Sequence, residues 1–269
     1  MTRRREIGGF VPQVLAIPAV LGLALLVLPL AALVFRVEWS TLWHDITAPA
    51  AIAALGLSLQ TGLIATGLCV ILGVPLALAI ARMPHRPAAV VRAFVTVPLV
   101  LPPMVGGVAL LFLFGRSSWL GGVLADVGIR VPFTTTAVVL AQAFVALPFL
   151  VLALEASLRT TGVGYEQTAA ALGAPRWTIL WRVTLPLAAP GLVAGVILCF
   201  ARAVGEFGAT ALFAGNAPGV TQTMPLAIYT AFNGAGVTQG SAVALSLLLL
   251  VTAVTVLLLV RAWRPGGVR

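Results

Sequence analysis

Two ionisable residues, Arg202 and Glu206, lie inside an apolar stretch of the chain. At bilayer depth each ionised side chain costs about 2.5 to 3.5 kcal/mol on insertion scales, so neither is expected to face lipid. The two residues are four positions apart, which places them on one face of a helix and allows them to pair. Two interpretations stay open: the pair clamps helices together, or it lines the pathway of an anion.

The helix face that carries this pair is predicted to be narrow and made of small and polar residues. At helical spacing it continues back through Gly195 and Gly191 and forward through Ala209 and Phe213 of a span predicted over 188–214. We expect this face to look into the bundle and the two glycines to permit close helix packing. Weak, distributed contacts suit a permeating anion, because tight binding slows release. The candidate contacts are Gly208 and Thr210.

A second interrupted stretch runs from Val97 to Gly107, where prolines break the helical hydrogen-bond ladder twice. Broken helices at membrane depth need protein or a water-filled cavity around them. The stretch is therefore a candidate gate or hinge, and a simple packing kink is the alternative. The candidate gate residues are Pro98, Pro102, Pro103 and Met104.

The other reactive side chains predict no catalytic or metal chemistry. Cys69 and Cys199 lie in apolar stretches without a paired spacing such as CxxC, so we expect neither a disulfide nor a metal site. His44 and His85 sit in connecting segments and are expected to be plain surface residues. An intramembrane enzyme would need a nucleophile with a base, or an HExxH motif, within a span. We therefore predict a protein that is not an enzyme and binds no cofactor itself.

The composition indicates an integral membrane protein. Of the 269 residues, 61% are hydrophobic and 9% are charged, whereas about a quarter are charged in soluble domains. A bilayer core of about 30 Å needs about 20 apolar residues of helix. Runs of that length predict an all-α protein with six transmembrane helices. Their approximate bounds are 14–35, 52–81, 93–114, 133–157, 188–214 and 241–260.

The basic residues predict an orientation. All 16 are arginines that punctuate apolar runs, a pattern unlike the single basic face of a nucleic-acid binder. Basic residues near span ends are retained on the cytoplasmic side, so a multi-pass protein with both termini cytoplasmic is predicted, and the family resemblance described below implies the bacterial inner or plasma membrane. The arginines on the side of the termini are Arg3, Arg4, Arg5, Arg82, Arg86, Arg92, Arg159, Arg176, Arg182, Arg261, Arg264 and Arg269.

The connecting segments leave no room for a soluble domain. The two longest, 158–187 and 215–240, are shorter than the usual domain minimum of about 50 residues. We predict a basic segment with the first span and an outer loop at 1–50, a transmembrane domain at 51–262 and a tail at 263–269. A phosphate-binding GxxxxGK[ST] loop requires lysine, which the chain lacks. Any use of ATP therefore needs a separate ATPase.

The cytoplasmic segment from Tyr165 to Pro186 predicts two short helices, broken at Gly173 and Pro175, with Leu185-Pro186 ending the second. The small residues Ala169, Ala170 and Ala171 allow another protein to approach the first helix closely. Trp177 and Trp181 are four residues apart and share one face of the second. An amphipathic helix lying on the lipid surface is the alternative interpretation.

This segment resembles the EAA loop of the inner-membrane subunits of type I ABC importers. With Gly173 aligned to the loop's glycine, the Glu-Ala-Ala triplet falls on Gln167-Thr168-Ala169, and Leu185-Pro186 matches the closing Leu-Pro. Two triplet residues differ, and Glu166 stands one position earlier. The resemblance implies a coupling helix that docks on an ATPase over roughly 165–179. The implied contact residues are Tyr165, Glu166, Gln167, Ala169, Ala170, Gly173, Ala174 and Arg176.

The segments after the loop resemble molybdate permeases. The similar stretches are Phe200–Thr210, Phe213–Asn216 and Thr221–Tyr229, and sulfate and thiosulfate permeases share mainly the first of these. The resemblance implies the type I ABC importer (MetI-like) permease fold and import of the molybdate oxyanion. Tungstate or sulfate import is an alternative, as is an ion-coupled secondary anion transporter, which would usually show inverted repeats.

The resemblance also implies partners. These are ATPase subunits that bind ATP and magnesium, a periplasmic or extracellular molybdate-binding protein, and a second copy of the chain. In the implied cycle, ATP binding draws the coupling helices together and opens the pathway outward, and hydrolysis resets it inward.

Overall fold

A computed structural model of the chain describes residues 13–234 and 239–262, and this part is helical throughout, without strands. The predicted basic segment before residue 13 and the tail 263–269 lie outside the described residues. After a 3-10 turn at Gln13–Leu15 the helices are α1 (Ala16–Phe35), α2 (Leu42–Thr47), α3 (Pro49–Arg82), α4 (His85–Val100), α5 (Pro103–Phe114), α6 (Trp119–Asp126), α7 (Thr135–Thr161), α8 (Gly164–Ala171), α9 (Arg176–Ile179), α10 (Leu185–Val204), α11 (Gly208–Phe213), α12 (Met224–Asn233) and α13 (Gln239–Ala262).

The long apolar helices match the predicted spans in place, although not all in form. Within the described residues α1, α3, α7 and the unit Arg176–Val204 are each long and apolar enough to cross a membrane. The predicted third span is instead a pair of helices, α4 and α5, and the chain bends by 111° between them. The predicted sixth span falls in α13, whose described apolar part is Gly240–Val256. The described residues therefore hold four candidate spans, or five if the bent pair counts as one.

Helix α7 is the centre of the bundle. It packs against α3, α4, α10 and α11, and 67% of its most apolar window is buried, whereas none of the window of α1 is. The predicted close packing at Gly191 and Gly195 of α10 is confirmed. A Cβ atom at Gly191 would lie 2.2 Å from the Cβ of Ser157, so only glycine lets α10 approach α7 this closely.

The predicted helix over 188–214 is wrong in its second half. Helix α10 ends at Val204, and α11 begins at Gly208 after a three-residue break. At this break the Glu206 carboxylate accepts the backbone N–H of Ala209, so a side chain supplies the hydrogen bond that a continuous helix would take from its own backbone. The predicted continuous face from Arg202 to Phe213 therefore does not exist, although Ala209 and Phe213 are buried in the bundle.

The predicted end of the loop's second helix at Leu185-Pro186 is also wrong. Helix α9 continues through a π-helical segment, Leu180–Thr184, into α10, and Pro186 lies in the first turn of α10. Proline has no N–H to donate, and the wider π turn lies directly before this gap in the hydrogen-bond ladder. One helical unit, Arg176–Val204, thus runs from the loop into the membrane.

Candidate functional site

The two interrupted stretches singled out in the sequence lie against each other in the fold. The start of α5 packs on the start of α11, where a Cβ atom at Gly208 would lie 2.8 Å from the Cβ of Pro103. One turn further along α5, a Cβ atom at Gly107 would lie 2.7 Å from the carbonyl oxygen of Ala209. The two helix breaks therefore form one closely packed contact, which we call the break contact: residues 101–107 against 205–210.

The α5 side of the break contact is built by consecutive prolines. Leu101 ends α4 in an extended conformation, and Pro102 precedes α5, with Pro103 in its first turn. Since the residue before a proline avoids the helical region, the chain leaves the axis of α4 at this point. Pro102, Pro103 and Met104 are exposed on the described chain, and Pro98 inside α4 is half-buried.

The α11 side carries the charged pair. The Arg202 guanidinium and the Glu206 carboxylate are ion-paired at 2.5 Å, with side-chain exposures of 26% and 1%. The second carboxylate oxygen of Glu206 accepts the Ala209 N–H at 2.8 Å. Glu206 is therefore both neutralised by an arginine and used to start α11, which is the arrangement expected of a structural clamp. The Arg202 side chain remains partly exposed, so the pathway interpretation is tested below beside the clamp.

Several buried polar atoms have no hydrogen-bond partner among the described residues, and those of Gln142 and Thr210 lie at or beside the break contact. They are both amide atoms of Gln142 and the hydroxyl oxygens of Thr210 and Thr223. On α7, Ala141 belongs to the buried cluster that contains Ala209, and Ala143 belongs to the cluster that contains Ala203. Gln142 lies between them, so this part of α7 is next to the break at 205–207. Buried polar groups of this kind usually bind ordered water, so the interior beside the break is polar. Sequence reasoning missed Gln142, although an amide in an apolar span was a visible signal.

The predicted coupling loop contains two short helices, as expected, and much of their surface is free. In α8 no residue is buried, and α9 follows after a turn at Gly173. Gly173 has a φ of +84°, its N–H donates to the Ala170 carbonyl, and the next N–H donates to that of Ala169. This left-handed closing turn favours glycine. Tyr165, Gln167, Ala170, Gly173 and Arg176 are exposed, and Glu166, Ala169 and Ala174 are half-buried.

Glu166 points inward and anchors the loop to the membrane helices. Its carboxylate pairs with Arg82, the last residue of α3, and accepts the hydroxyl of Thr184 at 2.8 Å. Arg82, Glu166, Gln167 and Arg176 also line an open cavity of about 510 Å³ between the end of α3 and the loop. The loop is thus held to α3 by one ion pair and continues directly into α10.

A second buried carboxylate at the same end of the bundle was not predicted. Glu155 of α7 is 3% exposed and bonds Arg92 of α4 at 2.5 Å and Arg159 of its own helix at 2.7 Å. The spacing of Glu155 and Arg159 signals a helical pair, but the partner on α4 is a tertiary contact. This cluster fixes α4, and hence the break contact, to the central helix.

Comparison with known proteins gives a consistent result. Residues 70–266 match the family described as binding-protein-dependent transport system inner membrane component. The molybdenum transport system permease protein ModB of Mycobacterium tuberculosis is 50% identical over 257 residues, which cover 95% of this chain and 96% of that protein. The sulfate transport system permease protein CysT of Escherichia coli is 35% identical, covering 76% of this chain and 75% of its own.

A solved structure shares the fold. The bacterial alginate ABC transporter, in complex with an alginate pentasaccharide-bound periplasmic protein, contains a chain that superposes with a TM-score of 0.70. The match covers 94% of this chain and 95% of that chain at 17% sequence identity.

The clamp and pathway interpretations of the charged pair predict different outcomes for three variants. For a clamp, Arg202→Met leaves Glu206 buried without its cation. The free energy of unfolding should then fall by about 1 to 3 kcal/mol, below the value for a fully buried pair because Arg202 is 26% exposed. Glu206→Gln should cost less, because the amide oxygen still accepts the Ala209 N–H. The double variant should be more stable than Arg202→Met alone.

Thermal unfolding of the purified protein in detergent measures these differences. Arg116→Met, at an exposed arginine outside the pair, serves as the control and should leave the melting temperature unchanged. Normal melting temperatures for all three variants, with reduced anion uptake for Arg202→Met, would reject the clamp in favour of the pathway.

Proposed function

The chain belongs to the family of binding-protein-dependent transport system inner membrane components, and from this premise we propose that its cargo is the molybdate oxyanion. It is the membrane-spanning permease subunit of an ABC importer, a multi-pass inner-membrane protein and not itself the catalytic subunit. Membership in this class implies a separate ATPase and a separate binding protein.

Molybdate is favoured over sulfate by the extent of the similarity. The mycobacterial molybdenum permease covers nearly the whole chain at 50% identity, against 35% for the sulfate permease over three quarters of it. The stretches whose resemblance distinguishes the two groups are Phe213–Asn216 and Thr221–Tyr229, and the second of these includes the start of α12. Sulfate is the second candidate, since both anions are tetrahedral dianions and the stretch Phe200–Thr210, which holds one side of the break contact, resembles both groups.

The geometry of the described residues supports a mechanical route from the ATPase to the anion. The exposed face of α8 and α9 is free to dock on the ATPase, which holds ATP and magnesium. Movement of the loop is transmitted along one helical unit, Arg176–Val204, whose end carries the break contact. The ion pair of Glu166 with Arg82 couples the same loop to α3. A rigid lever of this kind moves the break contact when the docked subunits close.

The break contact also suits an anion that must pass without being retained. Arg202 neutralises Glu206, so the contact presents no net negative charge to repel a dianion. Thr210, Gly208 and Gln142 offer hydroxyl, backbone and amide donors around it. Such neutral donors give weak contacts, which permit release.

We extend the proposal to the assembly and its orientation. One complete coupling loop per chain is consistent with two identical copies around a shared pathway, since closed two-fold symmetry is the commonest arrangement. The one-sided arginines favour cytoplasmic termini. Arg82, Arg92 and Arg159 lie at the loop end of the bundle, in keeping with that orientation. The domain limits 1–50, 51–262 and 263–269 are part of the same proposal.

Reconstitution tests the proposed function. Vesicles that contain this chain with its ATPase and binding protein should take up labelled molybdate when ATP is supplied, because the pathway opens only under the force of the docked ATPase. Tungstate should compete strongly, as an oxyanion of similar size and charge, and sulfate weakly. A matched set of vesicles without the binding protein should show no uptake.

Uptake driven by a proton gradient without ATP would reject ATP-driven import. Sulfate uptake at the same rate as molybdate would leave the importer in place and reject the cargo.

The turn at Gly173 gives a second prediction. Gly173→Val should abolish ATP-driven uptake, because a β-branched residue is strained at a φ of +84° and the turn between α8 and α9 would shift. Gly173→Asn should keep most of the activity, since asparagine tolerates this conformation. Uptake per ATP hydrolysed, with membrane content checked for each variant, makes the comparison. A normal coupling ratio for Gly173→Val would show that the loop does not couple.

A further inference from the structure

The two cysteines of the chain are neighbours in the folded bundle. Cys69 on α3 and Cys199 on α10 are 1% and 0% exposed, and both belong to one buried cluster with Ala65, Ala143 and Ala203. Both are free thiols, and the Cys69 thiol donates to the Ala143 carbonyl of α7 at 3.5 Å. Sequence reasoning placed them in separate apolar stretches and missed that the stretches cross at this point.

The environment of the pair is apolar. The other members of the cluster are small aliphatic residues, chiefly alanine, that let α3, α7 and α10 pack closely. The hydroxyl of Thr66, three residues before Cys69, donates to the Gly62 carbonyl of its own helix. A charged thiolate is disfavoured in such surroundings, so water-soluble reagents that need a thiolate would react slowly.

An apolar opening reaches Cys69 from the side. A cavity of about 210 Å³ is lined by Cys69, Leu72, Leu110 and Phe114, with other apolar residues. Leu72 is 54% exposed on the described chain, so the cavity opens on a helix face that looks away from the bundle. A small lipid-soluble molecule fits this access route better than a hydrophilic one.

We propose that Cys69 and Cys199 form a redox modification site, in which a lipid-soluble quinone converts the two thiols into a disulfide between α3 and α10. Each sulfur loses its hydrogen, the two sulfurs join, and the quinone accepts two electrons and two protons to become a hydroquinone. A lipid-soluble dithiol reductant, which can use the same apolar opening, reverses the step by thiol–disulfide exchange.

The consequence for transport rests on the proposed function. Cys199 lies three residues before Arg202 on the helical unit that links the coupling loop to the break contact. Cys69 lies on α3, which holds the loop through Arg82. A covalent bond between these helices would tether the lever to the bundle and stop its movement. The oxidised importer is therefore inactive, and the reduced importer is active.

The test uses the complete transporter in vesicles, with a fully substituted benzoquinone as the oxidant because it cannot add to thiols. Peptide mapping under non-reducing conditions should find residues 69 and 199 in one cross-linked pair that has lost two hydrogens. ATP-driven molybdate uptake should fall to the level without ATP and return after dithiol reduction.

Cys69→Ala and Cys199→Ala are the matched controls, since both retain a small apolar side chain. Each should transport normally before oxidation and keep that rate afterwards, which excludes oxidation of the partner subunits as the cause. Thiols that stay free at saturating quinone would overturn the modification site. A formed disulfide with unchanged uptake would overturn its effect on transport. The disulfide is scored by mass alone, so absence of molybdate uptake in the untreated transporter would count against the proposed function and not against this site.

Discussion

The requirement that every backbone polar group at bilayer depth be satisfied within the protein governs this structure. Two of its apolar stretches are broken, after Leu101 and after Val204, and each break frees backbone groups that lipid cannot satisfy. The two breaks pack on each other at Gly107 and Gly208, and the Glu206 carboxylate accepts a hydrogen bond from the backbone N–H of Ala209. The start of α11 is thereby buried in the bundle, whereas Pro102 and Pro103 on the other side of the break contact are exposed on the described chain.

The acidic side chains of the bundle are likewise satisfied within the protein. Glu155, Glu166 and Glu206 are each paired with arginine: Glu155 joins α7 to α4, Glu166 joins the loop to α3, and Glu206 pairs with Arg202 within the segment that links α10 to α11. Two of the three pairs lie at the loop end and one beside the break contact. Charges that are unfavourable in a membrane are therefore paired, and the pairs connect the loop to α3, α4 to α7, and the end of α10 to the break that follows it. Rigid joints are what a subunit needs if it is to convert a partner's closure into movement of a pathway.

Sequence reasoning found the features that depend on local pattern. Apolar run length located the candidate spans, and the spacing around Gly173 located the two short helices of the predicted coupling loop. The predicted helical face through Arg202 was wrong, because it assumed a continuous helix. The helix is broken at Glu206, whose carboxylate accepts the backbone N–H of Ala209. The partners of Glu155, the position of Gln142 and the pairing of the cysteines are contacts between distant segments. No period in a single sequence encodes them, because they depend on how α3, α7 and α10 cross.

In the proposed mechanism the break contact opens to the outside when the ATPase holds ATP. In a Cys69→Ala/Cys199→Ala background, Thr210→Cys should react slowly with an impermeant thiol reagent added outside, since Thr210 is fully buried. Trapping the ATP state with vanadate should speed the reaction, and molybdate should slow it again. Val220→Cys, at a residue 48% exposed in the loop before α12, should react in both states and so confirm the orientation. Equal rates at Thr210→Cys in both states, with Val220→Cys fully labelled, would contradict the account.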